Sequence, residues 1–334
     1  MNMKVKTYLF IFICSMMALV ACGNKSKTKI ENEQDSTQVN VPVFNSDSAF
    51  QYIKAQTDFG PRIPNSKAHD KCGDYLVKKL TSFGAKVIEQ KMDLIGYDGK
   101  ILKGRNIIGS YKPKNPKRIM ICSHWDSRPW ADNDPDKKNH HTPIDGANDG
   151  ASGVGVILEM ARLIQKQQPE LGIDFIFFDM EDYGTPQWEK KTDDENSWCL
   201  GAQYWARTPH VDGYNARFAI LLDMVGGKNA TFYQESYSLK YAKGIVNKVW
   251  NKANSLGYGN YFVASEGAPI TDDHLPVNKM AQIPCIDIIP CDLNGQNSSF
   301  GPTWHTLNDN IDHIDKNTLQ VVGNTLLEVI YNEK

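Results

Sequence analysis

The sequence predicts an α/β fold, a mostly parallel central sheet covered by helices on both faces. A continuous apolar run at residues 119–122 and three largely apolar ones, at 173–178, 218–225 and 283–289, have the pattern of strands buried on both sides. Between and after them lie amphipathic stretches with helical spacing at 154–165, 239–256 and 318–331. Buried strands alternating with helices imply a sheet wound by crossovers. No internal repeat and no Pro-, Gly- or Ser-rich linker breaks residues 43–334, which therefore read as a single domain.

In chain order, Lys4 and Lys6 precede an apolar run at residues 8–20. It is shorter than the roughly 20 helical residues a bilayer needs and fits the core of an export signal. It ends in Leu19-Val20-Ala21-Cys22, which resembles a bacterial lipoprotein box. That resemblance implies removal of residues 1–21 and lipidation of Cys22. Residues 22–42 carry almost nothing apolar and read as a tether. The expected location is outside the cytoplasm, anchored by lipid to a membrane facing the periplasm or the cell surface. Residues 45–57 form a predicted helix that Asp47 can cap. Residues 66–83 form a second, with Tyr75, Leu76, Leu80 and Phe83 on one face and Gly84 as its stop. Residues 86–90 and 101–111 alternate like strands. The first buried run then follows Pro116.

Composition narrows the function classes. Of 334 residues, 41% are hydrophobic and 23% charged, which excludes wholesale disorder. Lys and Arg number 37 against 39 Asp and Glu, and no basic block offers nucleic acid a footprint. Seven cysteines are too few for a disulfide scaffold. Cys122 lies inside an apolar run and reads as core, while Cys285 and Cys291 flank a strand end and can pair in an oxidising compartment. Nothing points to an oligomer, and a monomer is expected.

In sheets of this kind ligands bind beyond the carboxyl ends of the strands. After residues 119–122 comes His124-Trp125-Asp126-Ser127, and after 173–178 comes Asp179-Met180-Glu181-Asp182. The third run contains Asp223, and Pro290-Cys291-Asp292 follows the fourth. The loop Gly146-Ala147-Asn148-Asp149 adds a carboxylate before a helix, and His305 adds an imidazole before the last one. Singly, each has an ordinary structural explanation. Together they put Asp149, Glu181, Asp182 and Asp223 at one sheet edge, where their repulsion calls for a divalent cation, and Asp and His are zinc ligands. His140 and His141 sit in a Lys- and Asp-rich loop and read as solvated. His69, His210 and His313 have no evident carboxylate partners and read as structural, as do Trp205 and Trp250 on helical stretches.

The ordered set His124-Trp125-Asp126-Ser127, Gly146-Ala147-Asn148-Asp149, Asp179-Met180-Glu181-Asp182, Leu222-Asp223-Met224, Asp272-Asp273-His274 and Trp304-His305-Thr306 resembles the zinc aminopeptidase superfamily. Within it the chain looks most like the glutaminyl-peptide cyclotransferases. Trp304 stands before the histidine where aminopeptidases usually have Tyr, and Asp272-Asp273 precede His274 where they usually have Ser-Asp. The resemblance implies a single zinc held by Asp149, Asp182 and His305. It implies Glu181 as the proton-transferring residue, Asp223 and Asp272 as supporting carboxylates, and Trp304 and Trp188 as pocket walls. Glu181-Asp182 replaces the family's usual Glu-Glu pair. His124 and Asp223 are also the residues that bind a second zinc in the aminopeptidases, so a dinuclear aminopeptidase stays open as the alternative. The implied reaction takes an N-terminal Gln to pyroglutamate with release of ammonia, and the implied partners are Gln-initiated peptides and exported proteins.

Overall fold

The computed structural model describes residues 39–189, 195–291, 294 and 299–334. The expected signal, Cys22 and most of the tether lie outside the described residues, as does Asp292. One compact unit spans Val39–Lys334.

The unit begins with α1 (Ser46–Thr57) and α2 (Lys67–Ser82). Asn45, not Asp47, caps α1: its side chain accepts the Ser48 N–H at 2.8 Å, while Asp47 sits in the first turn, facing the positive end of the helix. Ser66 caps α2 through the His69 N–H, and Gly84 follows its end in the left-handed region at φ 81°. Then come β1 (Lys86–Ile95), β2 (Ile101–Tyr111), β3 (Arg118–His124), α3 (Ala151–Lys166) and β4 (Gly172–Phe178). They are followed by α4 (Leu200–Arg207), β5 (Ala219–Leu222), β6 (Phe232–Gln234) and α5 (Ser236–Ser255). The chain closes with β7 (Phe262–Glu266), α6 (His274–Lys279), β8 (Cys285–Ile288) and α7 (Lys316–Tyr331).

Six strands form the central sheet in the order β1-β2-β4-β3-β5-β8. The pairs β3–β4, β3–β5 and β5–β8 are parallel, whereas β1–β2 and β2–β4 are antiparallel. The sheet is therefore mixed, parallel where the four buried runs lie. Alternation along those strands splits the core in two. Ile119, Ile121, Phe175, Phe177, Ile220 and Ile286 join a core with α1, α2, α3, α5 and α7. Met120, Cys122, Ile176, Phe178, Leu221 and Cys285 face the other way, with Ala202 and Trp205 of α4 and Val277 of α6. Period-two side-chain direction on doubly covered strands gives this outcome. Trp205 and Trp250 are buried core residues, as expected.

Cys285 and Cys291 form no disulfide. Cys285 belongs to the α4–α6 side of the core, whereas Cys291 packs with Met224, Ile270 and Ile289, its thiol 3.7 Å from the Tyr233 carbonyl.

β3 is followed in sequence by β4 on one side, while β5 and β8 continue on the other. The winding thus reverses beside β3, the position where doubly wound sheets open a crevice at their carboxyl ends.

Candidate metal centre and active site

His124 ends β3 at that crevice, and its ring is fully buried. Its Nε2 lies 3.1 Å from Asp149 Oδ1 and 3.1 Å from Asp223 Oδ1. Asp126, two residues on, accepts the backbone N–H groups of Glu181 and Asp182, each at 3.1 Å. Asp309 does the same for the Asp149 loop, accepting from Asn148 N at 2.7 Å and Asp149 N at 3.1 Å. Two buried carboxylates therefore fix the two backbone segments that deliver the expected ligands.

His305 completes the first group. Its Nε2 is 3.3 Å from Asp182 Oδ1 and 3.6 Å from Asp149 Oδ2. Ligand-competent atoms of Asp149, Asp182 and His305 all lie within 4.8 Å of one another, and so do those of His124, Asp149 and Asp223. The Oδ2 of Asp182 is buried without a hydrogen-bond partner. A buried carboxylate oxygen left without a donor is costly, and a divalent cation would satisfy it. The donor set of two carboxylates and an imidazole suits zinc.

Glu181 faces elsewhere. Its Oε1 accepts the Cys199 thiol at 3.4 Å, and Glu181, Cys199 and Asp272 bring their polar atoms within 4.8 Å of one another. Burial, and then the neighbouring Asp272, pushes the Glu181 carboxyl well above its ordinary value. Asp272 is pushed up to about 7 by burial and by Asp223. Two buried acids side by side hold a proton more readily than exposed carboxylates do.

Four residues here, Met180, Cys199, Met224 and His305, have φ between 49° and 58° without being glycine. They abut Glu181 and Asp223, flank the pocket, or include the expected ligand itself. Left-handed backbone is costly outside glycine and concentrates where function over-determines the conformation.

A cavity of about 640 Å³ opens over these groups, lined by Asp149, Glu181, Asp182, Asp223, Asp272 and His305, with Trp198, Trp304, Ile270, Ile289 and Phe300 among its walls. The Trp304 ring stacks on His305 at 3.9 Å between centroids, and Trp198 lies nearly parallel to the same imidazole at 6.2 Å.

The family can now be read. A profile described as peptidase family M28 matches residues 106–330. This chain belongs to peptidase family M28. A crystal structure of a Bacteroides thetaiotaomicron glutaminyl cyclase bound to N-acetylhistamine is similar at 63% identity and TM-score 0.86, covering 88% of this chain and all of that one. A structure from the same organism described as a leucine aminopeptidase precursor is similar at the same identity and TM-score, covering 89% of this chain and all of that one. The glutaminyl-peptide cyclotransferase of Bothrops jararaca is 28% identical over 249 residues, 66% of this chain. The chain spans 63% of the length of that curated relative.

Within this M28 fold the structure gathers Asp149, Glu181, Asp182, Asp223, Asp272, His305, His124 and Trp304 around one cavity. Trp188 is not part of it. Its ring packs edge-on to Trp130 at 6.0 Å and beside His141 at 4.3 Å. Trp198, ten residues on, supplies the wall instead; only three-dimensional placement separates two tryptophans in one polar stretch. His69, expected to lack a carboxylate, has one: its Nε2 is 2.9 Å from Asp179 Oδ1, and its ring stacks on Trp125 at 4.3 Å. Burial opposes protonation of His69, yet Asp179 raises its pKa overall. It remains outside the cavity lining. Sequence reasoning also passed over Arg128, Asp132, Cys199 and Asp309. Arg128 and Asp132 lie in the loop that follows Ser127, where nothing local marks a charged residue as buried.

Proposed function

We propose that the protein is a glutaminyl cyclase that converts N-terminal Gln of peptides and exported proteins to pyroglutamate. The observation that carries this reading is the pairing of Glu181 with Asp272 at the cavity wall, beside a three-residue metal cluster and under tryptophans. Kinship supports it, since a solved relative at 63% identity is described as a glutaminyl cyclase.

Asp149, Asp182 and His305 would hold one zinc, which when bound supplies a Lewis acid at the γ-carbonyl of the substrate. The chain's own residues do the rest. Cyclisation needs a neutral α-amine. Its nitrogen bonds to the γ-carbonyl carbon, the bond to the amide nitrogen breaks, and one proton must pass from the first nitrogen to the second, leaving as ammonia. Glu181 is placed to carry that proton, with Asp272 beside it to share it. Such proton transfer contributes about 10²–10⁴-fold. Trp198 and Trp304 keep bulk water from the γ-carbonyl, where hydrolysis would give Glu instead.

A second reading has its own observation. His124, Asp149 and Asp223 form a neighbouring cluster able to take another cation, as a dinuclear aminopeptidase requires. Incubation with a Gln-initiated peptide separates the two. Cyclase activity releases ammonia and leaves the peptide otherwise whole, with one zinc per chain. Release of the first residue, with two zincs, would establish the peptidase instead.

The proposal extends to location and assembly: an exported monomer, anchored to a membrane through a lipidated Cys22, acting on peptides outside the cytoplasm. Leu19-Val20-Ala21-Cys22 at the end of an apolar run is its support. Mass spectrometry of membrane-extracted protein finding an unmodified amino terminus would overturn the anchor, and a dimer mass in sedimentation would overturn the monomer.

A further inference from the structure

Arg128 is 1% exposed although it stands beside the cavity. Every nitrogen of its guanidinium is occupied. Nε and Nη2 donate to the two oxygens of Asp132 at 2.8 and 2.6 Å, a bidentate fork. Nη1 donates to Asp182 O at 3.1 Å and lies 3.3 Å from Asp182 Oδ1. The Trp198 ring lies under the guanidinium at 4.6 Å.

Asp132 looks the other way as well. Its Oδ1 is 3.2 Å from His305 Nδ1, the ring nitrogen opposite the one facing Asp149 and Asp182, an ion-pair contact not aligned as a hydrogen bond. Its Oδ2 accepts the Gln187 N–H at 3.1 Å. The following residues grip the His305 loop by its backbone. Asn133 N donates to His305 O at 3.0 Å, Asn133 Nδ2 donates to Trp304 O at 3.3 Å, and Asp134 Oδ2 accepts Leu307 N–H at 3.1 Å. This grip falls on the residue with left-handed backbone, His305 at φ 53°.

We infer that Arg128 and Asp132 are the positioning pair of the metal centre: Asp132 orients His305 by its Nδ1, and Arg128 holds both Asp132 and the Asp182 carboxylate, so one buried guanidinium sets two of the three ligands. A metal-binding histidine generally gives its other ring nitrogen to a carboxylate, which fixes the ring and its tautomer. A carboxylate held by an arginine fork is itself fixed in place. The inference deepens the metal-centre reading and rests on it.

The test uses the full chain in detergent and three measurements. Zinc affinity is read by chelator competition, ligand geometry by the visible spectrum of the cobalt-substituted protein, and folding by melting of the metal-free form. Asp132→Asn keeps size but loses the charge, and is expected to weaken zinc binding about 10–100-fold and to shift the cobalt spectrum. At saturating zinc, kcat should fall with KM little changed. Arg128→Lys keeps the charge without the fork and should shift both metal readouts the same way, so it decides the matter if Asp132→Asn does not fold. Zinc affinity within about twofold of the parent and an unchanged cobalt spectrum in a folded variant would overturn the assignment. If the parent itself binds no zinc, the metal-centre reading fails instead.

Discussion

Glu181 and Asp182 are neighbours whose carboxylates meet different partners, Cys199 and Asp272 for the first, His305 and Arg128 for the second. Glu181→Gln should therefore keep zinc and fold while losing on the order of 10²-fold or more in kcat, because an amide cannot accept the amine proton. Asp182→Asn should lose zinc first, since a neutral amide oxygen is a poorer ligand than a carboxylate. Zinc content measured beside kcat for both variants checks this. Zinc lost from Glu181→Gln but kept by Asp182→Asn would exchange the two roles. His305→Ala would remove one of the three proposed ligands, and dialysed protein should then hold far less than one zinc per chain. At this scale much of the site was readable, because His and carboxylates at strand exits converge for topological reasons. What stayed hidden was the layer behind them. Asp309 and Asp132 are acids in polar loops, and only the fold shows that one receives the amides of Asn148 and Asp149 and the other faces His305.

The strands that carry the site were legible as apolar runs, since burial on both faces leaves little room for polar residues. Their ends were less so: β1 runs to Ile95, beyond the expected residue 90, because its partner β2 extends as far. The short elements α4 and α6 gave no periodic signal over eight and six residues. Yet the start of α4 holds the turn that bears Glu181. Its Leu200 and Gly201 N–H groups bond to the Met180 and Asp179 carbonyls, and the Cys199 N–H before it bonds to the Glu181 carbonyl, all at 2.9–3.0 Å. A Cβ at Gly201 would meet the Asp179 carbonyl oxygen, backbone that cannot swing aside. Gly201→Ala should accordingly cost about 1–3 kcal/mol, as overpacking does, and should also lower kcat by displacing the turn that bears Glu181. Urea unfolding paired with steady-state kinetics checks it; unchanged stability and kcat would mean that α4 can shift freely.

On the scale of the whole molecule, the cavity-lining residues run from Arg128 to His305, all inside the unit Val39–Lys334. Residues 1–38 should therefore be dispensable for chemistry, and a chain beginning at Val39 should match the full chain in kcat and melting temperature. The next few residues are different. Phe44 is 2% exposed and packs against Gly323 of α7 so closely that a Cβ there would strike its ring. Its carbonyl accepts Gln320 Nε2 at 2.8 Å and its N–H donates to Asn324 Oδ1 at 3.3 Å. The same stretch supplies Asn45, the cap of α1. A chain beginning at residue 46 loses the cap, the ring and both hydrogen bonds to α7. Removing a buried phenylalanine ring costs about 3–5 kcal/mol and losing a cap about 1 kcal/mol, so this second truncation should unfold at markedly lower urea. The single change Phe44→Ala should reproduce most of that loss while leaving kcat at saturating substrate nearly intact, because α7 lines no part of the cavity. Equal urea midpoints for the two truncations would show that residues 39–45 only lie on the surface, and the body would then begin at α1.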